Sequence, residues 1–81
     1  MEAIVRDQYP RVKHRLASVL TRKLPELWEL CIERGMTIGV EQYGDSSFHL
    51  PLVELKREVN EELADALWWE SIYGAKEEKR I

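Results

Sequence analysis

Apolar residues recur along most of the chain at the spacing of one helix face, and no stretch keeps the alternation of a strand. Pro10 suits a first helical turn, because its missing N–H would be unpaired there in any case. After it, Val12, Leu16, Val19 and Leu20 fall at i, i+4, i+7 and i+8. Pro25 marks either a kink or the start of a second helix. That stretch carries Leu27, Leu30, Cys31 and Ile38 along one side and Trp28 and Ile32 on another, with Gly35 and Gly39 weakening its far end. Tyr43-Gly44-Asp45-Ser46-Ser47 has turn chemistry: glycine for positive φ, then side chains that hydrogen-bond local backbone. A third helix is predicted from about Pro51 to Tyr73. Leu52, Leu55, Val59, Leu63, Ala66 and Tyr73 trace its apolar face, and Gly74 is its expected C-cap. The pattern predicts one all-α domain spanning residues 1–81. Its parts are a short basic N-terminal helix and two longer helices in an antiparallel hairpin, with 1–9 and 75–81 frayed.

Size changes this picture first. A chain of 81 residues buries a modest core, and three Trp with three Tyr is a large aromatic load to hide in it. A homo-oligomer that completes a helical bundle is the expectation. Cys31 is the only cysteine, so no internal disulfide and no Cys-based zinc site can form. The first ten residues lack an apolar signal region, and no run of apolar residues is long enough to span a bilayer. These features predict a soluble, cytoplasmic protein with no membrane partner.

The net charge of −3 is unevenly laid down. Residues 1–24 hold six Lys/Arg against two acids, and residues 25–81 hold six against thirteen. Much of the negative part is one stripe. Glu54, Glu58, Glu61, Glu62 and Asp65 fall within an arc of roughly 100° on an ideal helix. Like charges one turn apart repel, and Glu62 points along the edge of the apolar face. A carboxylate there needs something positive, either an arginine or a hard divalent cation such as Mg²⁺. Glu26, Glu29 and Glu33 share an edge of the preceding helix, so two acidic edges would face one groove in an antiparallel pair. A solvated or ion-paired face is the plainer reading of the same residues.

The run Glu61-Glu62-Leu63-Ala64-Asp65-Ala66-Leu67 resembles the second metal-binding motif of the MazG-like all-α nucleoside triphosphate pyrophosphohydrolases. Glu62-Leu63-Ala64-Asp65 matches that family's E-x-x-D. Glu29 and Glu33 match the outer acids of its E-E-x-x-E, with Leu30 breaking the pattern between them. The Tyr43-Gly44-Asp45-Ser46 turn is similar to one in short phage-type relatives. The resemblance implies Mg²⁺ held by Glu29, Glu33, Glu62 and Asp65, with Glu58 or Glu61 as the catalytic carboxylate that orients or deprotonates a water. It also implies attack on the α–β link of a nucleoside triphosphate, in dimers or tetramers of helical bundles. A member that binds nucleotides without hydrolysing them fits the incomplete first motif.

Arg11, Arg15 and Arg22 share one helix edge with Ser18. They would either clasp phosphates, since guanidinium forks match phosphate oxygens, or pair with the acidic edges. A nucleic-acid role is disfavoured by the neighbouring Glu26, Glu29 and Glu33, which phosphate repels. Trp69, on the acidic edge, would stack a base or line a subunit interface, and Trp28 and Trp68 read as core or interface. His14 and His49 lack a ligand-spaced partner, and Cys31 reads as a small buried hydrophobe. Two functions follow. One is Mg²⁺-dependent nucleotide binding or pyrophosphohydrolysis. The other is a non-enzymatic helical oligomer that binds another protein, as a phage or bacterial regulator or inhibitor does, with tryptophans on the surface of the isolated subunit.

Overall fold

The computed structural model describes residues Met1–Ile81. All its regular structure is helical: α1 (Glu2–Arg6), α2 (Tyr9–Arg34), a π-helical turn (Gly35–Gly39), α3 (Val40–Tyr43), a 3-10 turn (Ser46–His49) and α4 (Leu52–Glu77). The all-α class and the two long helices match the periodicity. Their boundaries differ from it in instructive ways.

Pro25 neither ends nor starts a helix. It sits inside the 26 residues of α2. Its ring removes the N–H that would serve the Thr21 carbonyl, and this stretch lies open to water, which can serve that carbonyl instead. Thr21 Oγ1 donates to the Ala17 carbonyl at 2.9 Å, a bond that also favours bending. Pro25→Ala is expected to raise the thermal midpoint and the helical circular dichroism. The gain should be about 1 kcal/mol, less than the ~3 kcal/mol propensity gap because proline also restricts the unfolded chain.

Gly35 and Gly39 bracket the π-helical turn, so the weak point expected there is a change of winding rather than an end. The helical run stops at Gly44, whose φ of 59° is open to glycine at little cost. Its N–H donates to the Val40 carbonyl at 2.8 Å, and Ser46 Oγ donates to the Tyr43 carbonyl at 2.7 Å. Pro51, extended at ψ 155°, then opens α4 as expected.

The closely packed region lies where the two ends of the chain meet. Gln8, Val12, Ser71, Gly74 and Ala75 are its buried residues. Here α1 and the start of α2 pack on the end of α4, with α2 antiparallel to it. Gln8 Nε2 donates to Glu78 Oε2 at 3.1 Å, and Arg80 Nη2 donates to Asp7 Oδ2 at 3.0 Å. The termini expected to be frayed therefore carry the tertiary structure. Gly74, expected as a C-cap, lies inside α4 instead. A Cβ there would meet the buried Gln8 Oε1 and would approach Arg15 Nη2 to 2.7 Å. Glycine lets the helices come this close.

That seam is not the predicted apolar stripe. On an ideal helix Leu67, Ser71, Gly74 and Ala75 lie roughly 110° round α4 from Leu55, Val59, Leu63 and Ala66. The stripe is uncovered: Leu55, Val59 and Leu63 are exposed, and Leu52 is 84% exposed. Every residue from Thr21 on α2 through Ile38 in the π-helical turn is exposed as well. The two helices thus meet at one end, are joined by a turn at the other, and stay open between. The radius of gyration is 15.4 Å. A compact chain of this length would have about 12 Å.

Candidate functional site

The basic edge of α2 lies in the closed end, and its arginines are largely occupied. Arg15 Nε donates to Glu70 Oε2 at 2.7 Å and Arg15 Nη2 to the Glu70 carbonyl at 2.8 Å. Its guanidinium also lies 5.4 Å from the centre of the Tyr73 ring. Arg11 Nε pairs with Glu78 Oε1 at 3.0 Å, while its Nη1 donates to the Asp7 carbonyl. Two of the three arginines read as phosphate ligands are thus held by Glu70 of α4 and by Glu78 just beyond its end. Arg22 is exposed and forms no ion pair.

Glu77, one turn beyond Tyr73, pushes the Tyr73 phenol above its ordinary value, by accepting its hydrogen bond and by its charge. The positive charge of Arg15 opposes this and does not cancel it. Deprotonation of Tyr73 is therefore harder in the folded chain, and the stability this reflects is lost as pH rises above about 10.

The acidic stripe of α4 forms, and it faces water. Glu58, Glu61, Glu62 and Asp65 are exposed, and Glu54 is half-buried. Arg57 reaches Glu61 at 4.0 Å one turn on. Glu54, Glu58, Glu62 and Asp65 have no ion-pair partner in the chain. Glu62 was expected at the rim of a buried face, but Leu55 and Trp69 beside it are themselves exposed. Glu29 and Glu33 stand on the open part of α2, also exposed. No group of three or more His, Cys, Asp or Glu side chains could hold a metal ion, so Glu29, Glu33, Glu62 and Asp65 do not gather within one chain. The reason is the open hairpin, which leaves α2 and α4 uncovered at the level of these residues.

All three tryptophans are exposed: Trp28 is 60%, Trp68 51% and Trp69 68% exposed. Cys31, expected to be buried, is exposed instead. It lines an apolar hollow of about 330 Å³ with Ile32, Met36, Val40 and Phe48, between the π-helical turn and the 3-10 turn. His14 and His49 lie on the surface.

The packing roles of Gln8, Glu70 and Gly74 were missed by periodicity. The signal for them is a row of small residues, Ser71, Gly74 and Ala75, at three- and four-residue spacing near the end of an otherwise Leu- and Trp-rich helix. No helix is long and apolar enough to cross a membrane. Comparison with protein-family models, with curated proteins and with solved structures finds no match.

Proposed function

We propose that the protein is a non-catalytic, cytoplasmic helical association module, which acts by packing its open helix faces and tryptophans against another polypeptide. The observation that carries this reading is the uncovered apolar surface of both long helices, Trp28, Trp68 and Trp69 included. Leaving so many large apolar side chains in water forfeits roughly 1.5–3 kcal/mol for each one a partner would bury fully. Patches of this extent on a small chain mark interaction sites. Aromatic side chains are the residue types enriched in such interfaces.

A second reading, Mg²⁺-dependent nucleotide binding or hydrolysis, draws support from the unpaired carboxylates Glu54, Glu58, Glu62 and Asp65. No three carboxylates of a single chain gather into a ready-made metal site, so this reading leaves triphosphate oxygens, waters or a second chain to complete the coordination of Mg²⁺. One experiment separates the two. Each nucleoside and deoxynucleoside triphosphate is incubated with the protein and Mg²⁺, and pyrophosphate release and thermal shift are recorded. The expected result is neither release nor shift. A response that Glu62→Gln abolishes would overturn the association reading in favour of the nucleotide one.

A further inference from the structure

We infer that the polypeptide covering the open middle of the hairpin is a second copy of this chain, with α4 of one copy lying along α2 of the other. This rests on the association reading and names its partner. The first argument is area. The chain exposes 7046 Å². A folded chain of its mass should expose about 5,100 Å², leaving an excess of about 2,000 Å². Permanent homodimers bury about 1,000–2,500 Å² on each partner, so the excess is what one stable self-interface removes. The radius of gyration agrees. Its 15.4 Å is close to the roughly 15 Å of a compact body with twice as many residues.

The second argument is charge. On the open part of α2, Arg22, Lys23 and Arg34 have no acidic partner. On the open part of α4 the unpartnered acids are Glu54, Glu58, Glu62 and Asp65, with Lys56 the one unpartnered base. Lys23 and Arg34 are eleven residues apart, as are Glu54 and Asp65. Eleven residues bring a helix back to within about 20° of the same face after roughly 16 Å. Lys23 and Arg34 flank the stripe of Leu24, Leu27 and Cys31, whereas Arg22, Glu26, Glu29 and Glu33 lie on the opposite side of α2, so an α2–α4 contact between copies sets the two cations against the carboxylates of α4 beside the apolar stripes. An α4–α4 contact would set carboxylate against carboxylate. The residues covered would be Leu24, Leu27, Leu55, Val59 and Leu63, with Cys31 alongside.

The test is the mass in solution by light scattering together with the accessibility of Cys31. The wild type is expected at twice or more the 9.6 kDa of one chain. Maleimide labelling of Cys31 should slow about tenfold between ~1 and ~100 μM, the range in which such an interface assembles. Val59→Asp lies outside the in-chain seam, and should return the mass to one chain and restore fast labelling while much of the helicity stays. A wild type that remains a single chain across this range, with Cys31 labelled at one rate throughout, overturns the inference. That outcome, with no nucleotide response, leaves a foreign polypeptide as the partner. An assembled protein that releases pyrophosphate keeps the second copy and removes the association reading.

Discussion

Gly74→Ala is expected to destabilise the chain by about 2 kcal/mol, although alanine is the better helix former by up to ~1 kcal/mol. The added methyl would press on Gln8 Oε1 and on Arg15 Nη2. Both atoms end flexible side chains, yet neither is free to yield. Gln8 is fully buried and tied to Glu78, and Arg15 is pinned to Glu70 by two hydrogen bonds. Gln8 Oε1 also has no hydrogen-bond partner, so this seam already contains a buried acceptor left unsatisfied. Gln8→Ala opens space where the methyl would go. In that background Gly74→Ala should cost far less than in the wild type, which is a coupling between neighbours. Urea denaturation followed by circular dichroism on the four proteins of the cycle measures it. Equal losses in both backgrounds would mean that the close approach does not set the requirement for glycine.

Arg15→Ala should be of similar size, about 2–3 kcal/mol, because one side chain makes three connections across the seam. It bonds the Glu70 carboxylate, bonds the Glu70 carbonyl, and lies over Tyr73. The ion pair is about one-quarter exposed on each side, so it is neither a fully screened surface pair nor a deeply buried one. The informative variant is Arg15→Lys. Lysine keeps the charge and loses the fork that serves two oxygens at once. It should therefore lose most of what alanine loses, in the same denaturation experiment. Full retention by lysine would assign the effect to charge alone.

The helices themselves were readable from spacing, because amphipathic periodicity and turn residues act locally. Pro51 as the start of α4, Gly44 as the turn and the weakness at Gly35 and Gly39 all follow from backbone chemistry within a few residues. The continuity of α2 through Pro25 was less legible. A lost backbone bond disfavours a helix interior only as far as water cannot replace it, and whether that stretch is open to water depends on the tertiary structure. The choice of packing seam was hidden for a different reason. Hydropathy points to Leu55, Val59 and Leu63. The in-chain contact instead uses Gln8, Ser71, Gly74 and Ala75, chosen by how closely two backbones approach. Large apolar residues show that a face is to be covered, and they do not say by which chain. The candidate site shows the same division. Its carboxylates and arginines were correctly placed on helix edges, but which of them meet depends on the separation of α2 and α4. That separation brings Arg15 to Glu70 and leaves Glu62 without a counterpart.

The seam also fixes when the chain can acquire tertiary order. Gln8 and Glu78 are partners across 70 positions of sequence, so α2, α3 and α4 all lie in the loop they close. During synthesis residues 7–15 must wait, as nascent helix without a mate, until residues 70–80 have left the ribosome. For that interval Val12 and Leu16 stand beside the same uncovered leucines that the finished chain presents. Tertiary order at this seam is thus the last to form, in the order in which the residues emerge.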